Sequence, residues 1–382
     1  MDSLADRIGE QFTFASKVLD EERPYWVHLP ASYNDASTQQ RYPVLYLLDG
    51  GGLFHATTSG AVPFMSHSNQ IPELIIVAIA TTNGIRDLTP THSQVGADGR
   101  DRPAWTDSGG GGTFLQFLGD ELLPEIESSY RTLPYRILVG SSIGGLFTLQ
   151  ALLDAPDIFQ SHIAIDPSLW WDDQVLVHRA AREFAGAQER RGAVYISLAN
   201  NQQQVFGPVM MQAGLAFAQS LAAANSGRFR SRHEYFEKED HGSVFLQSLY
   251  HGLQYVFDEY KPSLAIDPSA LVQHFERISA RLGVKLLPPE KLVHQMGFRI
   301  VDQVVNRNRP EGHWDIETAI EFLKLNVALY PNSSAACDGL ALAYSCKKDR
   351  PAAIKYYEKA VALDPANQEA NEQLQKLRAK TG

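Results

Sequence analysis

Between residues 140 and 144 the chain reads Gly140-Ser141-Ser142-Ile143-Gly144, after the apolar run Arg136-Ile137-Leu138-Val139 and just ahead of a helical pattern starting at Gly145. Glycines two positions either side of a serine permit a strained strand-to-helix turn that lifts the central hydroxyl off the edge of a sheet. A serine held that way attacks carbonyl carbon when a base lies beside it. The spacing to both glycines selects Ser142 over Ser141 as nucleophile. The bland alternative is a Gly/Ser turn that binds nothing. The strand before and the helix after argue against it.

Attack on a carbonyl creates an oxyanion, which needs preorganised N–H donors. Ile143, next after the serine, supplies one. The second is expected from Asp49-Gly50-Gly51-Gly52, the loop after the third strand, and we select the Gly51 N–H; a plain tight turn is the alternative. Twelve histidines compete for the role of base. His241 lies in Glu239-Asp240-His241-Gly242-Ser243, between a strand over 230–237 and a helix over 244–260, so it follows the serine in the order serine, acid, histidine. His233 falls inside the strand and His251 in mid-helix, both better read as structural.

The acid is not evident. After the strand over 194–198 the chain reads Ala199-Asn200-Asn201-Gln202-Gln203-Gln204, without a carboxylate. An amide orients an imidazole but does not stabilise imidazolium, and that swap costs ~10⁴ in kcat in a well-studied triad enzyme. Three alternatives stay open. Asp166 ends the preceding strand, although a strand-end Asp before Pro167 also suits plain helix capping. Asp240 is adjacent to His241, but chain neighbours seldom face each other. A Ser–His dyad needs no acid and is preferred here because Asp166 has that ordinary explanation.

The elements that must position these groups are legible as runs. Residues 11–30 alternate and read as an antiparallel strand pair. Continuous apolar runs at 43–48, 73–79, 136–139, 163–165 and 194–198 suit strands buried on both faces of a parallel sheet. Helical patterns over 114–130, 145–155, 174–189 and 208–224 lie between them, giving an α/β sheet with right-handed crossovers. Between 81 and 112 the pattern lapses into a long loop expected over the active-site edge. Trp170 and Trp171 are expected above the sheet's carboxyl edge, lining an acyl or aryl pocket or else belonging to the core. Arg86 either holds an anionic or catecholate group or pairs with Asp87.

Beyond 262 the chain is helical, with breaks at Pro268 and Pro288-Pro289. Ala319-Ile320-Glu321-Phe322-Leu323 recurs as Ala353-Ile354-Lys355-Tyr356-Tyr357, and Val327 to Pro331 recurs as Val361 to Pro365. The offset of 34 residues is the tetratricopeptide period. The expected division is a catalytic domain over 1–262, a helical connector over 263–312 and a small all-α tetratricopeptide-like domain over 313–382. One repeat and a half cannot bury a continuous face. The tail must lean on its neighbours, on a second copy or on a protein partner.

With 44% apolar and 20% charged residues in 382, a sizeable core is available. A net charge of −10 argues against nucleic acid, and no polybasic patch suits an anionic membrane. Cys337 and Cys346 make no disulfide framework, metal quartet or catalytic thiol. No phosphate loop, metal cluster or dinucleotide fingerprint appears, so neither cofactor nor metal is expected. No run approaches the ~18 apolar residues of a membrane span. Met1 to Arg7 shows no basic start before an apolar run, so a cytoplasmic location is expected.

Taken together, Pro43 to Gly50, Arg86-Asp87-Leu88-Thr89-Pro90, Gly140 to Gly145, Pro167-Ser168-Leu169-Trp170-Trp171 and His241-Gly242-Ser243-Val244 resemble the esterase D-type "putative esterase" family. The resemblance is to its branch of enterobactin and salmochelin esterases, some of which carry a tetratricopeptide-like tail. It implies an α/β-hydrolase fold and serine-dependent hydrolysis of esters, from siderophore trilactones to simple acyl esters, with Gly51 and Ile143 at the oxyanion positions. Ser141 departs from the family, which usually has His before the nucleophile, and so does the missing acid. That branch also makes a dyad workable. Two other readings remain: acyl transfer to an alcohol or amine by the same chemistry, and an adaptor with a weak or inactive hydrolase domain.

Overall fold

The structure is a computed structural model that describes residues 9–35, 39–186, 190–202, 207–226, 228–263, 265–306 and 315–379. The N-terminal heptad, Gln203 and Gln204, and part of the segment joining the proposed connector to the tail lie outside the described residues.

The chain forms two compact units, one of Met1–Ala31 with Arg41–Asp258 and one of Ser32–Gln40 with Glu259–Gly382. This division differs from the boundaries read along the chain at two places. The break falls after Asp258, not after residue 262, and the short segment from Ser32 to Gln40 belongs to the second unit. Pattern reading works along the chain, so it had no means of seeing that return.

In the first unit eight strands make one sheet: β1 (Glu10–Ser16), β2 (Glu21–His28), β3 (Tyr42–Leu47), β4 (Ile75–Ile79), β5 (Thr132–Ser141), β6 (Ser161–Ile165), β7 (Gly192–Ala199) and β8 (Phe229–Phe236). Their spatial order is β1-β2-β4-β3-β5-β6-β7-β8. β1 and β2 are antiparallel, as is β2 against β4, and the other pairs are parallel. All residues of β3, β4 and β6 are buried. The reason is that helices cover both faces, and side chains alternate between them. Ile163 and Tyr195, opposite each other on β6 and β7, face the helix carrying Gly252. Ala164, Val194 and Ile196 turn the other way, into a core shared with Leu146, Leu149, Leu176 and Phe217.

The covering helices are α1 (Leu53–His67), α2 (Gly84–Asp87), α3 (Gly111–Phe117), α4 (Leu123–Ser129), α5 (Ile143–Asp154), α6 (Trp171–Glu183), α7 (Gly207–Ala223) and α8 (Phe245–Val256). The helix expected over 114–130 begins earlier and carries a π turn over Leu118–Leu122 between α3 and α4. α6 begins three residues before the expected start, and Asp172, Asp173 and Gln174 in it have φ of 45°, 48° and 60°. The 81–112 segment is not a bare loop. It contains α2 and the 3₁₀ turn Pro103–Trp105, and the Trp105 ring packs 5.1 Å from that of Trp171.

The second unit is helical, with α9 (Pro268–Leu282), α10 (Glu290–Asn306), α11 (Ile316–Leu329), α12 (Ser334–Cys346), α13 (Arg350–Leu363) and α14 (Gln368–Ala379). From α10 on, consecutive helices pack against each other, so α10 joins the array rather than forming a separate connector. Helix starts repeat at the 34-residue offset, Ile316 with Arg350 and Ser334 with Gln368. The caps repeat with them. Asp315 and Asp349 accept the N–H of Thr318 and Ala352, while Ser333 and Asn367 accept those of Ala336 and Ala370. Small residues at the contacts (Cys337, Ala341, Ala353, Ala360, Ala370) bring the helices close around Tyr357 and Leu374. Among the described residues no helix is long and apolar enough to cross a membrane.

Candidate active site

Sheet register assembles the site. Leu47 of β3 lies opposite Val139 of β5, Ser141 opposite Ile165 of β6, Ile165 opposite Ser197 of β7, and Ala199 opposite Phe236 of β8. The loops leaving the carboxyl ends of these neighbouring strands therefore emerge side by side. They carry Gly51, Ser142, Asp166, Asn201 and His241 respectively.

Ser142 has φ 56° and ψ −116°, in the left-handed half of the map where a residue with a side chain is strained. The surroundings over-determine it. Its N–H donates to Ile165 O at 2.9 Å, and its carbonyl accepts from Leu146 N–H and Ser168 N–H, both at 3.0 Å. A Cβ on Gly140 would stand 2.2 Å from Gly144 O, which explains the first glycine of the motif. Ile143 opens α5, and the first N–H groups of a helix have no partner within it.

Ser142 Oγ lies 3.0 Å from His241 Nε2, and His241 Nδ1 lies 2.6 Å from Asp166 Oδ2. The imidazole is 31% exposed and the Asp166 side chain 2%. The line of hydrogen bonds thus opens to solvent at the serine and closes in the core at the carboxylate. Asp166 does not act as a helix cap. Its Oδ1 accepts the Ala199 N–H at 2.9 Å, and its Oδ2 also accepts from Asn201 Nδ2 at 2.7 Å. Three N–H donors thus converge on one buried carboxylate. Asp240 is spent on its own turn, accepting the N–H groups of Gly242 and Ser243. Of the alternatives left open by the sequence, Asp166 is the carboxylate that touches His241.

Gly51 has φ +89°, and a Cβ there would stand 2.6 Å from Cη2 of Trp26. The Gly50 N–H is already used, donating to Ile79 O at 2.7 Å. Burial pushes the carboxyl of Asp49, beside this loop, above the usual carboxylate range. On α1 the ring of His55 lies 5.6 Å from that of Trp26, with neither nitrogen hydrogen-bonded among the described residues, and burial chiefly holds its pKa down to about 4.

Other expected site residues are placed differently. Trp171 is fully buried and donates Nε1–H to Thr91 O at 3.1 Å. With no accessible surface it cannot touch a substrate, and it belongs to the core. Trp170 is 8% exposed and packs in the same core cluster. The Arg86 guanidinium is held by Asp87, at 2.6 Å, and by Glu21, at 3.0 Å. His233 lies on β8 and is exposed; His251 contacts Glu234 at 3.0 Å. Two contacts at the site were not anticipated. The Ser168 hydroxyl is 3.3 Å from Ser142 Oγ, and Asn201 touches Asp166. Two asparagines standing where the acid was missing were the available signal for the second. Among the described residues no group of His, Cys, Asp and Glu is arranged to hold a metal.

Comparison with known proteins agrees with this architecture. A family model described as "Putative esterase" matches residues 16–245, more than half of the chain, and the chain belongs to that family. It is similar to the ferri-bacillibactin esterase BesA of Bacillus subtilis, 29% identical over 238 residues that cover 59% of this chain and 82% of that protein. The siderophore triacetylfusarinine C esterase of Aspergillus fumigatus is 29% identical over 186 residues, 45% of this chain and 60% of that one. The crystal structure of an IroE-like serine hydrolase from Shewanella oneidensis superposes with a TM-score of 0.72 at 30% identity, covering 84% of this chain and 99% of that one. The fold is α/β-hydrolase-like, and the family and these relatives support ester hydrolysis.

Proposed function

We propose that the chain is a serine carboxylic-ester hydrolase acting through an acyl-enzyme. Ser142 Oγ attacks the ester carbonyl while His241 Nε2 takes its proton. The imidazolium then returns that proton to the departing alkoxide, and water repeats the sequence on the acyl-serine. Asp166 accepts Nδ1–H, fixes the tautomer and stabilises the transient imidazolium. The N–H groups of Gly51 and Ile143 receive the oxyanion. The observation that carries the reading is the unbroken line from Ser142 Oγ to His241, at 3.0 Å, and on to Asp166, at 2.6 Å.

The proposed substrates are small or medium acyl esters, siderophore-type esters included, because the relatives are named for hydrolysing those. The helical array is proposed to be tetratricopeptide-like and to serve a second copy or a protein partner, on the strength of helix starts and caps recurring every 34 residues. A fluorophosphonate probe tests the chemistry without knowledge of the substrate. One adduct per chain, on Ser142 and lost in Ser142→Ala, is expected; a chain that stays unlabelled overturns the reading.

A further inference from the structure

Asn201 stands just past β7, one carboxylate oxygen away from the imidazole of His241. The residue is 2% exposed, and among the described residues its Oδ1 finds no hydrogen-bond partner. A buried amide that makes half of its bonds is a poor choice for stability, since an unsatisfied acceptor costs ~1–3 kcal/mol. An apolar residue of the same size would avoid that cost. What an apolar residue cannot do is donate to Asp166. The amide orientation is fixed as well, because a flipped Asn201 would turn its oxygen toward the carboxylate and lose the 2.7 Å contact. The preceding residue ties the same loop to the histidine loop: Asn200 donates its N–H to Glu239 O at 2.8 Å and Nδ2–H to Glu237 O at 2.9 Å.

We propose that Asn201 is a positioning residue for the acid, holding Asp166 Oδ2 so that its free lone pair meets His241 Nδ1. This rests on the triad reading above. A carboxylate on the end of β6 has two side-chain torsions to restrain. The Ala199 N–H fixes one oxygen and the Asn201 amide the other, leaving a single direction for the histidine. The amide also draws off part of the carboxylate's charge, so the Asp–His pair becomes less cation-stabilising than a carboxylate held by the imidazole and one backbone N–H.

The test is Asn201→Ala in the full chain, read as kcat and KM for p-nitrophenyl butyrate across pH, beside Asn201→Leu and Asp166→Asn. Asn201→Ala should lower kcat by ~10- to 100-fold with KM nearly unchanged, the scale of a small misplacement of a catalytic group. The acid limb of its kcat/KM profile should move to higher pH, because the imidazolium gains a less shared partner. Asn201→Leu fills much the same space and removes the donor without adding a titratable group, so it should lower kcat and move the limb the same way. It replaces the alanine variant if that one does not fold. Full activity in either folded variant, or a lower kcat with an unmoved acid limb, overturns the proposal and leaves Asn201 a packing residue. If the Asn201 variants are harmless while Asp166→Asn is crippled, only this inference fails; if Asp166→Asn is harmless too, the triad reading fails with it.

Discussion

Asp166→Asn exchanges one oxygen for an amide in the least forgiving place of the site. Both carboxylate oxygens face donors: Ala199 N–H at Oδ1, and Asn201 Nδ2 and His241 Nδ1 at Oδ2. If the new NH₂ takes the Oδ1 position it meets the Ala199 N–H donor to donor, and a buried backbone group is left unpaired at ~1–3 kcal/mol. If it takes the Oδ2 position it opposes the Asn201 amide and bonds to His241 only when Nδ1 is unprotonated. That tautomer carries its proton on Nε2 and cannot accept the one from Ser142. In both arrangements the charge that stabilises imidazolium is gone. The expected loss in kcat is ~10³–10⁴, or about 4–5.5 kcal/mol of transition-state stabilisation. KM should hardly move, because a side chain 2% exposed does not touch substrate. Steady-state hydrolysis of p-nitrophenyl butyrate, with circular dichroism to establish folding, measures it. A folded variant within about tenfold of wild type would refute the reasoning and return the site to a Ser–His dyad.

Ser142→Ala should remove ~10⁶ of kcat; a variant keeping a tenth of wild-type activity would send the search to Ser141. Gly140→Ala drives a Cβ to 2.2 Å from Gly144 O, so backbone must shift, and both melting temperature and turnover should fall; a variant matching wild type in both would mean the elbow has slack. His162 in β6 is fully buried, and burial lowers its pKa to about 3, so the unfolded chain binds its proton first as pH falls below ~6.5 and stability is lost with falling pH. His162→Gln should therefore flatten urea-derived stability of the first unit against pH by up to ~1.4 kcal/mol per pH unit, the full slope being reached between about pH 4 and 5.5; an unchanged slope would show that the imidazole is solvated in the native state.

The parts of the site carried by local sequence were readable, and those carried by register were not. Ser142 and His241 each sit in a short motif at a strand end, and motif and strand lie within ten residues of each other. Asp166 has no motif of its own. What makes it the partner of His241 is that Ile165 lies opposite Ser197 and that Ala199 lies opposite Phe236, two pairings between distant segments. The inward packing of Trp170 and Trp171 was not legible, because both rings pack against Trp105, from a segment without periodicity. The strands were legible because three of them are buried on both faces and so read as unbroken apolar runs. The return of Ser32–Gln40 to the second unit leaves no periodic trace at all.

Gly51 rests on the ring of Trp26, and Trp26 belongs to the antiparallel hairpin that opens the described chain. That hairpin donates no group to the reaction, and an inventory of reactive side chains would treat it as expendable. Its indole is nonetheless the floor beneath the backbone proposed to receive the oxyanion. Shrinking that one aromatic would therefore lower turnover together with stability, since the ring is also part of the core. A homologue that begins later in the sequence must find another plate to put under the same loop.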